Sequence, residues 1–222
     1  MTELLESIEL QTNARPVASV IWLHGLGADG YDFVPVVKEL ENLGAPAVRY
    51  IFPHAPTMPV TINGGHVMRA WYDILGADLV RREDEAGVRA SQARVEQLIA
   101  REVERGTPAS RIVLAGFSQG GAITLQAGLR HPEPLAALVA LSTYLPLASH
   151  FATEASPTSR AVPIFMAHGR SDPVIPIARA IASRDALMVA GHSVEWHEYP
   201  MPHSVNAEEI RALADFLKRV LG

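Results

Sequence analysis

Arg111-Ile112-Val113-Leu114-Ala115-Gly116-Phe117-Ser118-Gln119-Gly120-Gly121 is the stretch that decides how this chain folds. Small or β-favouring apolar residues from Ile112 to Ala115 run straight into Gly-x-Ser-x-Gly, and a helical pattern begins at once. The reading is strand, sharp turn, helix, with Ser118 at the apex. Such a turn pushes a serine hydroxyl out at the top of a buried sheet on strained backbone. Gly116 and Gly120 are required there because a Cβ at either place would meet the neighbouring strand or helix. The first N–H groups of the helix have no intrahelical acceptor, so the Gln119 N–H can face an oxyanion.

Outward from that turn, strands alternate with helices. Leu4–Leu10 reads as a short edge strand and Ala18–Leu23 as a buried one, followed by a helix over Phe33–Leu43 and a strand over Val48–Phe52. Three prolines and Gly64-Gly65 mark residues 53–76 as a long irregular stretch, a length that usually carries function. Val88, Val95, Leu98, Ile99 and Val103 fall at helical spacing between Glu85 and Glu104. Past the central turn come strands at Leu135–Leu141, Val162–Ala167 and Val194–Tyr199, with a helix at Pro176–Ala190 between the last two. Asn206 is placed to cap a closing amphipathic helix. Continuous apolar strands alternating with helices predict an α/β fold: a mostly parallel central sheet covered by helices on both faces, in one domain over 1–222.

The bulk composition removes several classes of function. A net charge of −5, with no basic cluster beyond Arg81-Arg82, argues against a nucleic-acid partner. No cysteine is present, so there is no disulfide, no thiol nucleophile and no cysteine-ligated metal. The acidic start, Met1-Thr2-Glu3-Leu4-Leu5-Glu6, is unlike a signal peptide, and the longest apolar run, Leu135 to Ala148, is too short for a bilayer. The expectation is a cytoplasmic protein without stable membrane insertion, monomer or homodimer.

Ligands of a parallel α/β sheet bind beyond the carboxyl ends of its strands, so reactive side chains just after strands matter most. Ser118 is one. Between it and the last strand the aspartates are Asp172, in a loop after a strand, and Asp185, inside a helix. Of the histidines after Asp172, His192 precedes the last strand, His197 is within it, and His203 follows it. The order serine, acid, histidine is the one expected of a nucleophile turn on such a sheet. His203 would take the Ser118 proton and later return it to the leaving group; Asp172 would hold the imidazole in the right tautomer. A second N–H for the oxyanion is expected from the loop His24-Gly25-Leu26-Gly27, at Leu26.

That early loop also fits Gly-x-Gly-x-x-Gly, but the acid that would bind a ribose at the end of the second strand is missing, and nothing lies between Asn42 and Tyr72 to supply one. No metal-ligand spacing occurs, so no metal or other cofactor is expected. In the 53–76 stretch, either Trp71 and Tyr72 simply cover the core, or Trp71, Met68, Ile74 and Leu75 wall an acyl pocket.

Assembled, these residues make the chain resemble the carboxylesterase and acyl-protein thioesterase (lysophospholipase-like) family of small α/β-hydrolases, nearly end to end. The likeness rests on Leu23-His24-Gly25-Leu26-Gly27-Ala28, Pro53-His54-Ala55-Pro56, Pro59-Val60-Thr61-Ile62-Asn63-Gly64-Gly65, Trp71-Tyr72-Asp73, Gly116-Phe117-Ser118-Gln119-Gly120-Gly121-Ala122, His168-Gly169 with Asp172-Pro173, and Met201 with His203. It implies an α/β-hydrolase fold without a large cap domain, Ser118, Asp172 and His203 as the triad, Leu26 and Gln119 as the oxyanion hole, and no cofactor. The expected substrate is a small-molecule carboxylic ester of short to medium acyl chain. The alternatives are acyl-protein thioesterase or lysophospholipase action and, further off, a non-catalytic binding protein of the same fold. One departure stands out: Pro202 precedes His203 where the family has glycine, and proline, by fixing φ, could re-aim that loop.

Overall fold

In this computed structural model, residues 4–12, 15–76 and 83–222 are described. The Arg81-Arg82 pair and the first three residues lie outside them. The chain runs β1 (Ser7–Gln11), β2 (Ser19–Leu23), α1 (Val34–Asn42), β3 (Arg49–Pro53), β4 (Thr57–Val60), β5 (His66–Arg69), α2 (Glu85–Glu104), β6 (Ile112–Phe117), α3 (Gln119–Gly128), β7 (Ala137–Leu141), α4 (Ala148–Glu154), β8 (Ile164–Gly169), α5 (Ile177–Val189), β9 (Val194–Tyr199) and α6 (Ala207–Leu221).

Seven strands form one sheet in the order β1-β3-β2-β6-β7-β8-β9, parallel throughout except for the antiparallel edge β1. The central strands are buried on both sides, and their alternation sorts the core into two layers. Ile21, Leu23, Ile112 and Leu114 face α2, α3 and α5; Val20, Trp22, Val113 and Ala115 face α1 and α6. This is the doubly covered α/β-hydrolase sheet expected from the sequence, with no large cap domain among the described residues. α6 is started by Asn206, whose side chain accepts from the Glu209 N–H at 2.8 Å.

The 53–76 stretch is more ordered than its prolines and glycines predict. β4 and β5 pair antiparallel as a separate two-stranded ribbon, with Met58 opposite Met68. Gly64 and Gly65 both take positive φ (65° and 78°), so the pair makes a turn instead of breaking structure. Pro59 is tolerated because a two-stranded ribbon has an outer edge that needs no N–H donor. α4, between β7 and β8, was also not legible in the sequence.

Candidate active site

Ser118 sits at the junction of β6 and α3 with φ 55° and ψ −121°, a conformation that L-residues rarely adopt. Its N–H donates to the Leu141 carbonyl at 2.9 Å, and the Thr143 hydroxyl donates to its carbonyl at 2.6 Å. The glycines around it are steric necessities. A Cβ on Gly116 would lie 2.4 Å from the Gly120 backbone, and one on Gly120 would lie 2.3 Å from the Leu23 carbonyl oxygen. The strained backbone is thus clamped between β2 and α3.

Asp172 lies three residues past β8 and His203 four past β9, on the same rim of the sheet. His203 Nε2 is 2.9 Å from Ser118 Oγ, and its Nδ1 is 2.7 Å from Asp172 Oδ2. A carboxylate can only accept, so Nδ1 carries the ring proton and Nε2 is left to accept from the serine hydroxyl. Asp172 is itself fixed: Oδ1 accepts the N–H groups of Val174 (2.8 Å) and Ile175 (2.9 Å). Pro202 does not turn the ring away. Its carbonyl accepts from Ser204, and the adjoining Met201 is buried.

Two further histidines brace this rim. Burial pushes His24 down to about 4, so its ring is neutral at physiological pH. Its Nδ1–H donates to the Gly25 carbonyl at 2.7 Å, and its Nε2 accepts the Ala55 N–H at 3.0 Å. Burial also lowers His168; its Nε2–H donates to the Ile175 carbonyl at 2.8 Å, with Asp172 Oδ2 further off at 3.4 Å. That longer contact joins a neutral ring to the acid and is not an ion pair. Both histidines follow or end a strand, the signal by which they could have been found.

The side chain of Gln119 has a task apart from its N–H. Its Oε1 accepts from the Trp71 N–H (2.8 Å) and its Nε2 donates to the Tyr72 carbonyl (2.6 Å), tying residues 71–72 to the turn. Trp71 does not wall a pocket, contrary to the expectation from sequence. It is completely buried, with its indole N–H donated to the His24 carbonyl at 2.8 Å. The pocket beside Ser118 is lined instead by Leu26, Tyr72, Ile74, Gln119, Tyr144, Val174 and Ile175. Of the four wall residues expected, Ile74 lies in it. Leu75 is exposed and absent from that lining, and Met68 is half-buried outside it, its sulfur near the Asn63 amide. Tyr144 follows β7 by three residues, on the same rim as the others, so the strand-end rule could have found it.

His203 lines a second depression, together with Asp32, Phe33, Val36, Phe117, Ser204 and Val205. Phe117 packs on His203 with ring centroids 4.7 Å apart. No group of three or more metal-ligating side chains occurs among the described residues, and none of their helices is long and apolar enough to cross a membrane.

A strained serine on a parallel sheet, followed along the rim by an acid and an imidazole, defines the chain as an α/β-hydrolase. The family described as Phospholipase/Carboxylesterase matches residues 6–221, and the chain belongs to it. Among curated proteins it is 44% identical to acyl-protein thioesterase 1 of Neurospora crassa over 92% of this chain and 87% of the relative. It is 41% identical to acyl-protein thioesterase 1 of Mycosarcoma maydis, over 96% of this chain and 95% of that one. The crystal structure of Zea mays acyl-protein thioesterase 2 superposes with a TM-score of 0.85 at 29% identity, covering 98% of this chain and 99% of that chain.

Proposed function

We propose that this chain is a serine hydrolase that removes acyl groups from S-acylated protein, with small carboxylic esters as secondary substrates. The observation that carries the hydrolase reading is the hydrogen-bonded run from Ser118 through His203 to Asp172, at 2.9 and 2.7 Å, beside an apolar pocket. In this reading His203 takes the Ser118 proton as Oγ attacks the acyl carbonyl, and Asp172 stabilises the imidazolium that forms. The Gln119 and Leu26 N–H groups receive the oxyanion, and His203 returns the proton to the departing group. Water then hydrolyses the acyl-enzyme by the same route in reverse.

From sequence alone, oxygen esters come first. The names of the curated relatives support the thioester more, and the depression lined by His203 gives a bulky thiol somewhere to lie. A thiol with a pKa near 8.5 also leaves with little help from an acid. The carboxylesterase reading keeps one observation in its favour: the Ser118 pocket is small, and two tyrosines whose hydroxyls pair at 2.9 Å stand in its wall. A peptide carrying an S-octanoyl cysteine, compared with its O-octanoyl serine twin, separates the two. The thioester should give the higher kcat/KM; equal or reversed values would restore the ester to first place. A fluorophosphonate probe should label wild type and not Ser118→Ala, and absence of labelling in wild type would favour a binding protein.

A further inference from the structure

Tyr72 and Tyr144 both line the Ser118 pocket, and their hydroxyls meet at 2.9 Å. Both rings are buried, and burial holds both phenols above their ordinary range. Arg179 lies over the far side of Tyr144, its guanidinium carbon 3.8 Å from the ring centroid. Next to Tyr144, on its Leu145 and Arg179 side, is a second, mostly apolar depression lined by Glu83, Leu145, Ala148, Arg179, Ala182, Ser183 and Ala186 and open to solvent at its three alanines.

Three links put the two spaces side by side. Tyr144 lines the first and its neighbour Leu145 the second. Arg179 lines the second while stacking on the tyrosine that lines the first. Ile74 lines the first and forms a β-bridge with Glu83, which lines the second.

We propose that Tyr144, held by Tyr72 and propped by Arg179, is the partition that sets the longest acyl chain this site accepts, and that opening it joins the pocket to the depression beside it. The inference rests on the reading of Ser118 as the nucleophile and its pocket as the acyl site. An acyl chain that stops at the two hydroxyls leaves them paired. A longer one must displace the Tyr144 ring or keep its last methylenes in water. Each methylene newly taken out of water is worth about fourfold in transition-state binding, so two or more added methylenes are readily seen.

The test is kcat/KM for p-nitrophenyl esters from butanoate to dodecanoate, read as the ratio of decanoate to butanoate. Tyr144→Ala should raise that ratio at least tenfold over wild type. Tyr144→Phe, which keeps the ring and loses only the hydroxyl contact, should stay within about threefold of it. Because truncating a buried tyrosine can prevent folding, Arg179→Ala serves as the second variant: it removes the prop from a half-buried position and should raise the ratio about threefold. An unchanged ratio in every variant that hydrolyses butanoate overturns the partition while leaving the hydrolase reading intact. Wild type inert toward every ester and toward the S-octanoyl cysteine peptide overturns both.

Discussion

Two regions meet at the pocket beside Ser118, and they are held there by different physics. The turn between β6 and α3 is fixed by backbone against backbone, Gly116 on Gly120 and Gly120 on Leu23, with no space for a methyl group. Residues 53–76 reach the same pocket through side-chain straps: the Gln119 amide on Trp71 and Tyr72, the His24 ring on Ala55, and the His24 carbonyl under the Trp71 indole. Asp73 extends the set, accepting from both the N–H and the hydroxyl of Thr61 at 2.7 and 2.5 Å. One region therefore fails when an atom is added, the other when a polar partner is removed. A rigid turn suits a nucleophile, whose aim must not drift; a strapped segment suits a pocket wall, whose composition can change while its anchorage stays.

The largest effect expected lies at the turn itself. Ser118→Ala should lower kcat on the order of 10⁶-fold, the size seen when a serine nucleophile is removed from a triad. A fall of less than about tenfold in ester hydrolysis would remove Ser118 from the chemistry. Next comes Gly120→Ala, whose new Cβ would meet two carbonyl oxygens of β2 and the loop after it, at 2.3 and 2.5 Å. Backbone cannot yield as a flexible side chain does, so about 3 kcal/mol or more of stability should go, visible as a drop in denaturation midpoint at unchanged slope. A midpoint like that of wild type would show that the clamp is soft.

The straps are broken by pH and by truncation. His24 has an ordinary value of 6.5 and a folded value of about 4, so between these the unfolded chain binds a proton that the folded chain does not. Its share of stability is full above pH 6.5 and drains away as pH falls toward 4, by up to roughly 3 kcal/mol. In His24→Gln the melting temperature should fall less steeply over that window than in wild type. Parallel curves for the two proteins would mean the ring is no strap.

The smallest effect is expected from Gln119→Ala. It keeps the backbone N–H proposed for the oxyanion but leaves the buried Trp71 N–H and Tyr72 carbonyl without their partner, at about 1–3 kcal/mol in stability. Turnover should drop less than tenfold, against the 10²–10³ that follows loss of an oxyanion donor. A larger kinetic loss with little change in stability would show the amide acting on the reaction instead of on the segment.

The same contrast separates what could be read from the sequence from what could not. Gly-x-Ser-x-Gly after an apolar strand specifies its geometry locally, because only glycine fits where backbones touch. Once strand and helix alternation fixed a parallel sheet, the rim positions of Asp172 and His203 followed from their places just past β8 and β9. The pocket walls did not follow. Trp71 looked like a wall because it is large and aromatic, yet it is completely buried, while Tyr72 beside it and Tyr144 from the loop after β7 line the pocket. Pro53, Pro56, Pro59 and the glycine pair read as breakers, though Pro53 ends β3, Pro59 lies within β4 and the glycines make the turn of the separate ribbon. The sequence by itself determined the fold class, the family and the turn that carries Ser118, since these rest on local sterics and period. Only the tertiary structure decided which side chains enclose the space beside it, since that depends on which faces of distant segments are turned together by packing.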